Sequence, residues 1–170
     1  MFKTILVSLD GSALAEQALA PAFSIAEKYG AAIVLLRVVP PERPLPGLQY
    51  LATRPNGAPA DPLQALIEEA QDYLAWITPP MPGVPVHTRV LVGAPPEVIV
   101  ATAVEAAADL IVMSTHGRTG LTRLLYGSVA EAVLRGSPVP VFLVPNRVPV
   151  RLAEQDQDLA RLGMFATNYH

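Results

Sequence analysis

The residues whose types and spacing point to chemistry lie between Leu110 and Val129. Gly117, Gly120 and the pair Gly127-Ser128, with Arg118 and Arg123 among them, follow the apolar run Leu110-Ile111-Val112-Met113. That run is rich in β-branched residues and reads as a buried parallel strand. Ser128 stands ahead of a periodic apolar segment and reads as a helix cap. Strand, glycine loop and capped helix, in that order, aim free backbone N–H groups and the positive end of a helix dipole at one spot. Such a spot suits a phosphate. Glycine lets the backbone approach the anion where a side chain would hold it off.

The elements that must position this loop follow a regular order. Lys3 to Leu9 is a mostly apolar, central strand ending on Asp10-Gly11-Ser12, with Ser12 placed to cap a helix running to about Tyr29. Leu14, Ala18, Leu19, Ala22, Ile25 and Ala26 form its apolar stripe, Gly30 ends it, and Pro21 predicts a kink or a restarted helix. Ala31 to Val39 is a second strand, which completes a right-handed βαβ unit and brings Val38 to the same edge as Asp10. Ligands of open α/β sheets bind on that edge.

Pro40 to Pro62 holds seven prolines and reads as a long surface loop. Asp61 and Pro62 then cap and start a helix carrying Leu63, Leu66, Ile67, Ala70, Leu74 and Ile77 inward and running through Trp76 to Thr78. Val84 to Val92 alternates and contains Pro85 and His87, as an edge strand does. A helix from about Pro96 to Ala108 buries Ile99, Val100, Ala103, Val104 and Ala107, and the Leu110 strand follows. The Ser128 helix runs to Arg135-Gly136, and a last strand, Val139 to Val144, sits at an edge beside Pro138 and Pro140. The fold class is therefore α/β: a doubly wound, Rossmann-like, five-stranded parallel sheet of order 3-2-1-4-5 with helices on both faces. Residues 1–146 form one domain. Residues 147–170 are a polar C-terminal tail with a short helix near Val150 to Leu162.

Composition narrows the function classes. A chain of 170 residues accommodates one domain with a sizeable core. Hydrophobic residues make up 51% and mean hydropathy is +0.36, an excess consistent with a buried oligomer surface. No run approaches the ~18 apolar residues of a membrane span, and the opening Met1-Phe2-Lys3-Thr4 lacks a signal-peptide layout. The chain has no cysteine, which excludes disulfides and thiol chemistry and is compatible with a cytoplasmic location. A net charge of −3 leaves no electrostatic footprint for nucleic acid.

Three landmarks together resemble the universal stress protein family over about Met1 to Asn146. They are Ile5-Leu6-Val7-Ser8-Leu9-Asp10-Gly11-Ser12, Ile111-Val112-Met113-Ser114-Thr115-His116-Gly117 with Gly127-Ser128-Val129-Ala130-Glu131, and Ser137-Pro138-Val139-Pro140-Val141. The nucleotide-binding branch of that family carries Gly, two residues, Gly, nine residues, Gly, then Ser or Thr. Gly117, Gly127 and Ser128 match its second half, and Ser114 replaces the first glycine. The resemblance implies a homodimer paired through the last strand, Val139 to Val144, and an ATP at the carboxyl edge of the sheet. It implies that Asp10 faces the ribose or the phosphate-metal region and that Val38 meets the adenine. Met113, Ser114, His116 and Gly117 would lie beneath ribose and phosphates, while Gly127, Ser128 and Val129 donate to the phosphates. Mg2+ or Mn2+ would be held through the phosphates, with no protein metal site. Arg118 and Arg123 are cations close enough in sequence to shield phosphate charge.

Plainer roles stand beside these. Asp10 before Gly11 is also a turn former, Ser128 a cap whatever binds, and Val38 and Met113 core residues whose backbone alone would serve a ligand. His116 is equally a polar loop residue, and Arg118 and Arg123 solvated charges. Hydrolysis needs a group that orients water, and the loop offers no committed base, so the chain reads as no enzyme, at most a slow ATPase. The expected function is an ATP-binding regulatory or stress-response module acting on a protein partner. The alternative, favoured by Ser114, is a protein-interaction module of the same fold that binds no nucleotide.

Overall fold

The computed structural model describes residues 2–41, 61–78, 82–115 and 127–145. Most of the proline-rich loop, residues 116–126 of the glycine loop, and the tail, with its expected helix, lie outside the described residues.

The described residues hold, in chain order, β1 (Thr4–Leu9), α1 (Ala13–Glu16), α2 (Leu19–Tyr29), β2 (Ala32–Val39), α3 (Pro62–Ile77), β3 (Val86–Val92), α4 (Pro95–Glu105), β4 (Leu110–Thr115), α5 (Ser128–Gly136) and β5 (Val141–Pro145). The strands form one sheet in the order β3-β2-β1-β4-β5, with every pair parallel. This is the doubly wound sheet expected from the sequence, with β3 and β5 at its edges.

Strand periodicity divides the core in two. Ile5, Val7, Leu9, Ile33 and Leu35 face α1, α2 and α3, and meet Ala15, Ala22, Phe23, Ala26 and Leu74. Leu6, Val34, Leu36, Val38, Ile111 and Met113 face α4 and α5, and meet Ile99, Ala103, Ala130 and Val133. At the amino edge of the sheet, Asp109 Oδ2 accepts the backbone N–H groups of Lys3 (2.6 Å) and Thr4 (3.0 Å), fixing where β1 begins.

Several local expectations are corrected. Of the kink or restart expected at Pro21, the structure has the restart, two residues earlier: α1 is a single turn, and the helix resumes at Leu19. Pro21 thereby falls in the first turn of α2, where its missing N–H leaves no bond unmade. The stripe shifts with it, burying Ala15 and Phe23 and leaving Leu14 only half-buried. In α4 the buried face is Ile99, Thr102 and Ala103, one turn apart, so Val104 is 62% exposed and Val100 half-buried beside Gly136. Ala107 lies beyond the helix at φ 47° and is exposed. Trp76, on α3, is 77% exposed. Ser128 does not cap α5. Gly127 holds the cap position in an extended conformation, and Ser128 is the first helical residue. By contrast Ser12 caps α1 through Ala15 N–H (3.1 Å), and Asp61 caps α3 through Leu63 N–H (2.9 Å).

Candidate functional site

β1 ends on Asp10, and the chain must turn at once into α1. Asp10 Oδ1 makes that turn by accepting both the backbone N–H (2.9 Å) and the hydroxyl (2.6 Å) of Ser12. Ser12 Oγ in turn accepts from Ala15, so one serine links the strand end to the helix start. Gly11 between them has φ +82°, a left-handed conformation that favours glycine.

On the other side of the switch point, β4 ends on Met113, Ser114 and Thr115, and α5 begins after Gly127. The first backbone bond within α5 runs from Glu131 N–H to Gly127 C=O at 3.0 Å. The N–H groups of Ser128, Val129 and Ala130 precede it and belong to the unpaired first turn of a helix. An anion is stabilised there by those donors and by the helix dipole.

A cavity of about 260 Å³ joins these two ends across the carboxyl edge of the sheet. Ser8, Leu9, Asp10 and Ala15 line it from β1 and α1, and Arg37, Val38 and Pro40 from β2. Pro95 and Ile99 come from the start of α4, Met113 and Ser114 from β4, and Gly127, Ser128, Val129 and Ala130 from the start of α5. Asp10, Val38, Met113, Ser114, Gly127, Ser128 and Val129, named from the sequence, are thus gathered on one cavity. His116, Gly117, Arg118 and Arg123 lie outside the described residues.

Two residues escaped the sequence reading. Arg37 is the one charged residue of β2, sitting among Leu35, Leu36, Val38 and Val39. A charge near the carboxyl end of a buried parallel strand was the available signal. Tyr73, from α3, lies beneath it, with the Arg37 Cζ 5.8 Å from its ring centroid. The Tyr73 hydroxyl donates to Glu16 Oε1 (3.3 Å), and burial first, then the neighbouring Glu16 carboxylate, push its pKa up to about 12. Among the described residues the charged groups lining the cavity are Asp10 and Arg37. Among the described residues no group of three or more His, Asp or Glu is placed to hold a metal ion.

The model of the universal stress protein family matches residues 1–145, the whole of the sheet and its helices. The chain belongs to that family. It is similar to universal stress protein MJ0531 of Methanocaldococcus jannaschii, at 36% identity over 146 residues, covering 85% of this chain and 82% of that protein. The solved structure of protein MJ0577 from the same organism superposes with a TM-score of 0.66 at 31% identity, over 86% of this chain and 98% of the other. A universal stress protein solved in complex with cAMP superposes with a TM-score of 0.56 at 27% identity, over 85% and 97% of the two chains. In this universal stress protein the cavity stands where the strand order reverses between β1 and β4, the place at which open α/β sheets take ligands.

Proposed function

We propose that this universal stress protein binds an adenine nucleotide, ATP foremost, at the cavity between β1 and β4. The nucleotide state then sets how a homodimer engages a protein partner in the cytoplasm. The observation that carries this reading is the convergence of Asp10, Val38, Met113 and Ser114 with the unpaired first turn of α5 on one cavity. Gly127, Ser128 and Val129 hold the phosphates, Val38 borders the base, and Asp10 keeps one carboxylate oxygen for the ribose or for a cation on the phosphates. A relative that takes cAMP shows that this fold accommodates an adenine nucleotide. Ser114 at the first motif glycine is half-buried on the cavity wall, where its small side chain offers a hydroxyl.

The described lining contains no lysine and no histidine, and its carboxylate is tied into a turn. Hydrolysis needs a group that orients water, and we read the protein as a binder, with hydrolysis at most slow. Purified without added nucleotide and then denatured, the protein is expected to release adenine nucleotide. In calorimetry ATP with magnesium binds the wild type in the micromolar range, and Gly127→Val abolishes binding by placing a branched side chain over the donors. No release and no binding at millimolar ATP overturns the reading in favour of the alternative, a protein-interaction module of the same fold.

A further inference from the structure

One charged side chain at the cavity is built in a way that the fold alone does not require. Arg37 lies in register with Leu9 of β1 and Val90 of β3, on the face that α1 to α3 cover. Its guanidinium is confined there by Tyr73, 5.8 Å from Cζ to the ring centroid, and by Gly11. A Cβ at Gly11 would stand 2.9 Å from each of Cζ, Nη1 and Nη2, and three equal distances place the Gly11 backbone over the flat of the guanidinium. Glycine at this position therefore does more than turn the chain. It leaves the room that the arginine occupies.

Arg37 Nε is buried and has no hydrogen-bond partner among the described residues. Burying a donor of a charged group without an acceptor is costly, and such groups ordinarily have a reason to persist. Asp10 does not supply the acceptor. Its Oδ1 is taken by Ser12, and no ion pair joins the two among the described residues. Nε itself is sealed from solvent, so the part of the guanidinium that can meet a ligand is its Nη pair, and a planar cation beside a cavity with no side-chain acceptor among the described residues is suited to a phosphate. The ends of β2 and β4 are two strand spacings apart, roughly 10 Å. Arg37 is therefore an anion handle separate from the start of α5.

We propose that Arg37 selects phosphate-bearing ligands at this cavity, donating from its fixed guanidinium to the nucleotide's phosphate charge. This deepens the nucleotide reading above and rests on it. The test is calorimetric titration of ATP and AMP into wild type, Arg37→Gln and Arg37→Lys at low and high salt. Arg37→Gln is expected to weaken binding about ten- to a hundredfold, the loss of a hydrogen-bonded charge. Its salt dependence becomes shallower than that of the wild type, and Arg37→Lys, which keeps the charge without the fork, restores the salt dependence and part of the loss. Unchanged affinity in Arg37→Gln overturns the proposal while leaving the nucleotide reading intact. So does a loss with unaltered salt dependence and no rescue by lysine, which would mark a purely structural role. A wild type that binds neither nucleotide overturns both. If Arg37→Gln fails to fold, Arg37→Met keeps the apolar stem and answers the same question.

Discussion

Two carboxylates at opposite edges of the sheet show how one residue type serves two ends. Asp10 spends one oxygen on the turn after β1 and keeps the other at the cavity. Asp109 Oδ2 accepts the backbone N–H groups of Lys3 and Thr4, and those two bonds, Lys3 foremost, hold its carboxyl below the usual carboxylate range. The folded protein thus favours the ionised form. Its contribution is complete above the ordinary value of 3.8 and is lost as pH falls through the lowered native value. Asp109→Asn is expected to lower the melting temperature at neutral pH, and the gap from wild type narrows as the pH drops below 3.8. Thermal melts along an acid series check this. A gap of constant size would assign the effect to lost hydrogen bonding and not to charge.

The helix ends carry a prediction of their own. α2 closes with Ala31 N–H on Ala26 C=O (2.9 Å), around Gly30 at φ 66°. α4 closes the same way, with Ala108 N–H on Ala103 C=O (2.8 Å) and Ala107 N–H on Val104 C=O (3.1 Å), but the left-handed residue is Ala107. A Cβ in that conformation costs about 1–2 kcal/mol, part of which glycine returns through its freer unfolded chain. Ala107→Gly is therefore expected to stabilise the protein by about 0.5–1 kcal/mol in urea unfolding. Gly30→Ala destabilises it by about 1 kcal/mol or more, and shifts of the same sign would refute the pairing. The same contrast explains which features the sequence makes legible. Glycine announces the end of α2, whereas alanine hides the end of α4, and the expected helix runs on to Ala108 with Val104 wrongly inward. The sheet order and the cavity's glycine end are carried by local signals: apolar runs, caps and Gly127. Ser128 is displaced from the cap by one position because glycine and serine compete for it. Arg37 leaves one mark in the sequence, a charge within the apolar run of β2, because Gly11 and Tyr73, which surround it, come from elements remote in sequence.

At the scale of the whole molecule, the sheet is covered unevenly. On the face that holds Val7, Leu35 and Val112, α1 to α3 pack over the centre of the sheet. Phe142 is paired in register with Val112 on that face, yet it is 43% exposed at the edge strand β5. Among the described residues its strand pairs with β4 on one side and with none on the other, an edge that offers a template for another strand. A second copy of the chain meeting β5 across a two-fold axis would cover both the edge and the phenyl ring with the same patch on each subunit. This is the arrangement expected of the proposed homodimer through Val139 to Val144. Phe142→Lys puts a charge into that patch and is expected to shift the protein from dimer to monomer in sedimentation equilibrium. None of the described lining residues belongs to β5, so ATP affinity in the monomeric variant should stay within a few-fold of wild type. A variant that remains dimeric would move the interface away from β5. A monomer that loses nucleotide would tie the cavity to the interface, making dimer and ligand parts of one switch.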